Sequence, residues 1–481
     1  MKTKILIILL GIFLYSCNFA PEFKKPFIPL PSNSTFKIFN ATENATSNIN
    51  WEWWKQFKDP YLNKLIEIGL KNNEDLLIAS ARIEQALAIA RLSKAELYPY
   101  FSYKAQIARY RIPEGILGPG AKSRTETFYY LLGSVAYELD LWGKLRNKKK
   151  ADIARLFAAK AERDALQISL ISNIATTYFN LISIEKQIKI AEDFTQKLKE
   201  IYEYRVKQYK YGLINELIVK QAKAQYESTK LILEDLKNHR EILKSTLAIL
   251  LGKSPKELFE EDFVTKAELP EAIKIPSMLP SELLVRRPDI VKAEEILKAA
   301  NFDIGIAKAL YFPNINLTGS YGYLSPEFGD LMEHSSSFWN IASVLTGPLF
   351  DFGRVKYRVK FQEAKKKEAL LQYIKTVKTA FKEVYDALVN ISSSREKLKA
   401  QEEEIEALKR ALELSEKQFK YGIVDYLTVL DAQRNYLRAK LNLVKIKTEL
   451  INNYIYLYKA LGGGWQGLNE KAFDYKISAR P

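Results

Sequence analysis

Cysteine and histidine are almost absent from this 481-residue chain, which has one cysteine and two histidines. A single cysteine excludes a disulfide within the chain. His239 and His334 lie far apart, without the spacing of a metal site, and their polar surroundings predict that both are solvated. The chain also lacks a glycine-rich loop that could hold a phosphate. We therefore predict that it is not an enzyme and that it binds no metal or cofactor.

Long hydrophobic runs are also missing. Beyond the N-terminal region, no stretch has about 18 apolar residues without charge, so the sequence predicts no transmembrane helix. The net charge is +16, but no compact block of lysine and arginine with interleaved aromatic residues occurs. We therefore expect no binding to nucleic acid, although a general basic excess also suits a protein close to anionic lipid.

The N-terminus has the pattern of an export signal. Lysines precede a short apolar run, Ile5–Leu14, that is too short to cross a bilayer and ends at Cys17. The sequence LYSC resembles a bacterial lipobox, and the alternative is an ordinary signal peptide with an incidental cysteine. We predict a signal peptide over residues 1–16 and a lipidated N-terminal segment over 17–59, with a covalent lipid on Cys17. Asn18, rather than aspartate, suggests sorting to the outer membrane.

Glycine and proline are absent from four long runs, and their placement indicates a tandem repeat. Residues 144–211 and 354–421 each form a run of 68, and residues 213–251 and 423–461 each form a run of 39. The glycines at the ends of these runs recur with an offset of 210 residues: Gly143, Gly212 and Gly252, then Gly353, Gly422 and Gly462. The chain is therefore predicted to be a duplicated unit.

Each unit is predicted to contain one β-hairpin, over residues 99–141 and 313–351. The alternation of apolar with polar residues along Phe101–Ile107 and Ile315–Tyr323 is the strand signal. The strands are about 10–14 residues long, which is the length that crosses a membrane when tilted.

The remaining segments are predicted to be mainly helical. Residues 142–252 and 352–462 have coiled-coil patterns and form long helix pairs, each with one helix on the order of 100 Å. Residues 60–98 and 281–312 are predicted as shorter helices. Residues 253–280, rich in proline and acidic residues, are predicted as an equatorial linker around the outside, and 463–481 as a C-terminal tail without an assigned role.

Four membrane-length strands cannot close on themselves, because lipid offers no hydrogen-bond partners to an open sheet edge. Known single-chain barrels begin at about eight strands, so several chains must combine their strands. The predicted fold class is thus mostly α with a membrane β-barrel. Three chains would give a twelve-stranded barrel and a long α-helical barrel of coiled-coil helices.

The motifs of the chain resemble those of the TolC family of outer-membrane efflux proteins, most closely the OprM/NodT-type lipoproteins of RND tripartite pumps. The resemblance spans essentially the whole chain after the signal peptide. The matching segments are Cys17–Phe23, Trp53–Trp54, Phe57–Pro60, Tyr137–Lys144, Arg287–Ile290, Tyr311–Pro313, Tyr426–Arg434 and Tyr458–Trp465.

The resemblance implies a homotrimer in the outer membrane that extends into the periplasm and docks to a periplasmic adaptor and an inner-membrane pump. We predict a passive exit duct for drugs or other small molecules. Two alternatives remain open at this point: the same duct in type I protein secretion, and a lipid-anchored coiled-coil scaffold or adaptor without a pore.

Two aspartates near the second predicted turn have different expected roles. Asp425, like its repeat mate Asn215, lies at a helix start and is predicted to cap it. Asp431 lies two turns further on, and Leu427 lies four residues before it on the same face. From spacing alone, Asp431 either faces solvent outside the bundle or lines a lumen. In OprM-like ducts the leucine and aspartate of the matching motif form the periplasmic constriction, which implies a gate of Leu427 and Asp431 here.

The predicted turns between the long helices are the expected periplasmic tips. The resemblance makes them the adaptor-docking residues, although glycines there could also simply end the helices. The predicted docking residues are Lys210, Tyr211, Gly212, Lys420, Tyr421 and Gly422.

Overall fold

The structure is a computed structural model that describes residues 18–29, 52–114, 120, 122–254, 256–257, 268–270 and 287–465. The predictions for the signal peptide, for Cys17, for most of the linker and for the tail after residue 465 lie outside these residues. The chain divides into two compact units. Among the described residues, no helix combines the length and the apolar character needed to cross a membrane.

The elements follow the predicted order of the two repeats. The first repeat contains α1 (Pro60–Asn72), α2 (Glu74–Ala95), β1 (Tyr100–Ile112), β2 (Arg124–Leu139), α3 (Lys144–Lys210) and α4 (Glu216–Leu250). The second contains α5 (Pro288–Ala309), β3 (Asn314–Ser325), β4 (Ser337–Thr346), α6 (Arg354–Lys420) and α7 (Tyr426–Ala460). Short 3-10 helices, Trp53–Phe57 and His334–Ser336, precede α1 and β4. The mostly helical chain with four strands is confirmed.

The range 60–98, predicted to be shorter helices, contains α1 and α2. The break falls at Asn73, whose backbone is extended and whose side-chain oxygen accepts hydrogen bonds from the amides of Asp75 (3.1 Å) and Leu76 (3.3 Å). An asparagine that caps the next helix ends the preceding one, because its extended backbone cannot continue the helical hydrogen bonds.

The first of the two compact units combines parts of both repeats and contains the sheet, in the antiparallel order β1-β2-β3-β4. The register aligns residues of one face across all four strands. One face carries two neighbouring rows of mostly apolar residues. The first row is Phe101, Val135, Gly319 and Ile341, and the second is Tyr103, Gly133, Tyr321 and Trp339. A polar row on the opposite face, between these two, consists of Ser102, Ser134, Ser320 and Asn340. The sheet is therefore amphipathic.

The apolar face of this sheet is exposed in the part of the chain that the structure describes. Tyr103 is 86% exposed, Trp339 71% and Ile341 81%. A contiguous apolar face of this kind marks a surface that meets another apolar phase or another protein. In addition, β1 and β4 are the two ends of the sheet within the described residues, and each has one edge without a neighbouring strand.

Aromatic rings just after β2 and just before β3 hold the N-terminal segment that begins at Asn18. Phe19 stacks on Phe312 with ring centroids 4.7 Å apart, and Trp142 stacks on the same ring at 4.6 Å. The indole N–H of Trp142 donates to the carbonyl of Pro313 at 2.8 Å. Three of the motif segments that carry the family resemblance thus meet at one place.

Two buried asparagines hold the same N-terminal segment. Asn147 donates its side-chain N–H to the Asn18 carboxamide oxygen at 2.9 Å, and Asn301 donates to the Pro21 carbonyl at 2.7 Å. Gly305 lies against this segment so closely that an added Cβ would be only 2.8 Å from atoms of Ala20. Position 305 therefore requires glycine for the segment to pack there.

The second compact unit brings the motif segments Trp53–Trp54, Phe57–Pro60 and Tyr458–Trp465 together. Trp53, 1% exposed, stacks on Tyr458 with ring centroids 5.4 Å apart. Asp59 caps α1 by accepting from the Tyr61 amide at 2.9 Å, and its other oxygen accepts from the Tyr178 hydroxyl at 2.7 Å. The burial of Tyr178 and its hydrogen bond to the carboxylate raise the pKa of the phenol well above its usual range.

Candidate gate and docking tips

The two turns between the long helices have the same backbone geometry. The Leu213 amide donates to the Gln208 carbonyl at 2.9 Å, and the Ile423 amide donates to the Gln418 carbonyl at 3.0 Å. These bonds close a Schellman motif after α3 and after α6, with the glycine of each turn at a φ of 71°. We name α3, α4 and their turn the first hairpin, and α6, α7 and their turn the second hairpin. Both are helical hairpins and are distinct from the β-hairpins of the sheet.

Both turns expose an aromatic and an aliphatic side chain. Tyr211 and Leu213 are exposed on the first hairpin, and Tyr421 and Ile423 on the second. The basic residues in the helical turns that lead into them are Lys207 and Lys210, and Lys417 and Lys420. All six residues predicted as docking tips therefore lie at the two turns, each of which combines exposed apolar groups with lysines.

The predicted helix caps at the other side of each turn are confirmed. Asn215 accepts a hydrogen bond from the Ile218 amide at 3.2 Å at the start of α4. Asp425 accepts from both the Thr428 amide (2.9 Å) and the Thr428 hydroxyl (2.7 Å) at the start of α7. The hydroxyl and amide of Thr428 lower the pKa of Asp425 below its usual value, since both bonds favour the carboxylate.

The first turns of α7 have a buried and an exposed side. Tyr426, Val429, Leu430 and Gln433 are buried. The predicted gate residues lie on the opposite side: Leu427 is 48% exposed, and the Asp431 side chain is 53% exposed. Within one chain, Leu427 and Asp431 thus lie on an exposed stripe of α7.

Asp431 forms an ion pair with Arg434, three residues further along the exposed stripe. Arg434 was not among the predicted gate residues. An aspartate and an arginine three residues apart on a helix are neighbours, so this spacing could have revealed the pair. The arginine gives the exposed stripe an alternation of apolar, acidic and basic groups.

The buried side of α7 contacts the first hairpin. Ala222 of α4 forms a buried cluster with Tyr426, Val429 and Leu430, against which Tyr202, Ile218 and Phe419 pack. The guanidinium carbon of Arg205, from α3, lies 4.9 Å from the Phe419 ring centroid and 5.0 Å from that of Tyr426. Sequence patterns did not point to Arg205, because its partners are more than 200 residues away.

The two histidines are exposed, as predicted, and His239 Nδ1 lies 3.0 Å from the Asp235 carbonyl oxygen of the preceding helical turn. In the part of the chain that the structure describes, no group of three or more histidine, cysteine or acidic side chains is arranged to hold a metal ion.

Two β-hairpins that share one sheet, each followed along the chain by a long helical hairpin, define the class of outer-membrane channels. The Campylobacter jejuni CmeC outer membrane channel superimposes with a TM-score of 0.89 at 28% identity, covering 93% of this chain and 95% of that one. The fold of this chain is therefore that of solved outer-membrane channels.

The chain belongs to the outer membrane efflux protein family, whose model matches residues 65–253 and 279–463. The probable efflux pump outer membrane protein TtgC of Pseudomonas putida is 31% identical over 452 residues, 93% of each chain. The probable outer membrane lipoprotein SilC of Salmonella typhimurium is 31% identical over 465 residues, 96% of this chain and 99% of its own. The predicted resemblance is confirmed, and a family of efflux channels fits the prediction of a non-enzyme.

Proposed function

We propose that three copies of this chain form a passive exit duct through the outer membrane. The amphipathic sheet carries this proposal. Its apolar face would meet lipid, its polar face would line the lumen, and the free edges of β1 and β4 would pair between neighbouring copies. Three sheets of four strands would close a twelve-stranded barrel that leaves no edge in the membrane.

The three second hairpins would bring their exposed stripes together around the axis. A ring of three Leu427 side chains would narrow and dry the opening, and a ring of three Asp431 carboxylates would favour cations. Thr428 occupies the position where TolC-like ducts have a further aspartate, so one acidic ring is proposed. Opening requires the second hairpin to move outward.

An adaptor would drive this movement by binding the open form better than the closed one. The two turns are the proposed docking surface, since their exposed Tyr211 and Tyr421 stand beside lysines. An inner-membrane pump of the RND type would supply drugs or other small molecules and the energy. A lipid on Cys17 would anchor the chain, and the name of the relative SilC, a probable outer membrane lipoprotein, supports this.

Oligomeric state and conductance test the duct. The detergent-solubilised protein is expected to run as a trimer and to form ion channels in planar lipid bilayers. A monomer without conductance would overturn the proposal and favour a scaffold without a pore. A duct that serves type I protein secretion would conduct as well. The neighbouring genes would separate it from small-molecule efflux, through the type of pump that they encode.

A narrower experiment tests the gate. The Asp431→Ala variant is expected to conduct more than the wild type, because the acidic ring and its ion pairs are lost. Its matched control is Gln221→Ala, at the position of the first hairpin related to Asp431 by the repeat offset. Equal conductance of the Asp431→Ala variant and the wild type would remove Asp431 from the gate.

A further inference from the structure

Arg205 links the two hairpins close to the proposed gate. Its half-buried guanidinium belongs to α3 of the first hairpin, whereas the rings of Phe419 and Tyr426 belong to the second. Both ring centroids lie within the distance at which a cation is attracted to an aromatic face. Gln208 accepts from Nη1 of the same guanidinium at 2.7 Å, which orients its plane.

The aromatic partners fix the first turn of α7. Tyr426 is 3% exposed and directly precedes Leu427. Burial raises the pKa of the Tyr426 hydroxyl, and the nearby charge of Arg205 lowers it in part, so the ring remains a neutral partner for the cation. With Tyr426 held against the first hairpin, Leu427 and Asp431 point away from it on the exposed stripe.

The positions related to Arg205, Phe419 and Tyr426 by the repeat do not hold the same combination of residues. The positions related by the offset of 210 residues are Ser415 for Arg205, Tyr209 for Phe419 and Glu216 for Tyr426. Ser415 donates its hydroxyl to the Leu412 carbonyl of its own helix at 2.9 Å. Of the two sets of positions related by the repeat, only the set whose aromatic residues lie on the second hairpin, beside Asp431 and Arg434, combines a cation with these rings.

The geometry points to Arg205 as a positioning residue that holds the second hairpin in its closed position, a role that rests on the proposed function. Both aromatic partners are on the second hairpin, so an outward movement of that hairpin separates them from Arg205. An interaction that breaks on opening favours the closed state, whereas one that both states share does not change the equilibrium between them. The clamp formed by Arg205, Phe419 and Tyr426 would therefore set how easily an adaptor opens the duct.

Single-channel recordings of Arg205→Gln in planar bilayers test this role. We expect the ratio of open to closed time to rise by about tenfold, because the variant removes both cation–π interactions of a partly desolvated guanidinium. Arg205→Lys is expected to lie between this variant and the wild type, since an ammonium keeps the charge but lacks the planar face. The control is Arg410→Gln, which removes an exposed arginine paired with Glu413 on the second hairpin.

The outcomes separate the clamp from the duct itself. If Asp431→Ala opens the channel and Arg205→Gln gates as the wild type does, the clamp is wrong and the duct stands. If the wild-type protein neither trimerises nor conducts, the proposed function fails first. Should Arg205→Gln not assemble, Phe419→Leu removes one ring and decides instead: the same gating as the wild type would overturn the clamp. A rise in open time with unchanged trimer stability supports it.

Discussion

Arg287 and Glu383 form a 2.7 Å ion pair that joins the start of α5 to the middle of α6. The Arg287 side chain is only 9% exposed. It also binds the Asp289 carboxylate (3.0 and 2.7 Å) and donates to the carbonyl of Ala460, the last residue of α7, at 2.7 Å. One guanidinium therefore fixes three helix segments of the second unit, including the end of α7 opposite the proposed gate.

The Arg287→Ala variant is expected to lose stability. It leaves the Ala460 carbonyl and the carboxylates of Glu383 and Asp289 without this partner. Because both carboxylates keep some contact with water, we expect the free energy of unfolding to fall by about 2–3 kcal/mol. Urea unfolding followed by the helical circular dichroism signal measures it. Arg410→Ala is the control, with an expected change below about 0.5 kcal/mol for an exposed ion pair. Equal midpoints for the two variants would contradict the assigned role.

Adjacent residues on the two faces of β2 should differ in their tolerance of charge. Val135 lies on the apolar face and Ser134 on the polar face. A lysine at 135 would meet lipid in the proposed duct and cost about 2–4 kcal/mol near the middle of the membrane. The yield of trimer in outer-membrane fractions is expected to fall for Val135→Lys and to stay near the wild-type yield for Ser134→Lys. The reverse order would show that the faces are assigned wrongly.

Loss of the Asp425 cap should loosen the first turn of α7. Asp425→Ala removes the acceptor of the Thr428 amide, and a lost cap typically costs about 1 kcal/mol. The amides of this turn are therefore expected to exchange hydrogen about fivefold faster, measured by mass spectrometry. Asp425→Asn keeps an oxygen acceptor and should exchange nearly as slowly as the wild type. Unchanged exchange in Asp425→Ala would mean that packing of Tyr426 alone fixes this turn.

Acid should release the N-terminal segment from α5. Glu294 pairs with Lys25 of the segment at 2.7 Å and with Lys298 at 2.9 Å. Burial opposes ionisation of Glu294, but the two ammonium groups outweigh it and lower the pKa of the carboxyl. A lowered folded-state pKa contributes stability above the unfolded value of about 4.3, and this contribution is lost as the pH falls through the folded pKa.

Amide hydrogen exchange of residues 18–29 at pH 7 and pH 3, with each rate divided by the intrinsic exchange rate at that pH, measures this release. Glu295 and Tyr373 are the other titratable groups near Lys298 and Glu294. The Glu294→Gln variant should exchange at neutral pH with the low protection that the wild type shows in acid. Wild-type protection that does not change with pH would contradict the prediction.

The long helices were predictable because their pattern is local. Runs without glycine or proline, ended by glycines, set the bounds of α3 and α6 to within one or two residues. Alternation along Phe101–Ile107 and Ile315–Tyr323, each within a predicted β-hairpin, led to the prediction of four strands. The caps of Asn215 and Asp425 were predictable for the same reason, since a cap bonds to amides only three residues away.

The contacts between distant segments were not predictable in this way. Nothing in the sequence near Arg205 indicates Phe419 or Tyr426, and the motif at Arg287 gives no sign of Glu383. The break at Asn73 depends on its cap, whose bonds to the amides of Asp75 and Leu76 start α2 where α1 ends.

The sequence by itself determined the repeat, the four strands, the helix lengths and the family, because hydrophobic period and chain breaks act over a few residues at a time. Only the tertiary structure decided which side of α7 is buried. That choice depends on packing, since Ala222 and Arg205 of the first hairpin cover Tyr426 and leave Leu427 and Asp431 free. It likewise decided that the apolar rows of four strands lie on one face, because the register across two repeats is set by pairing.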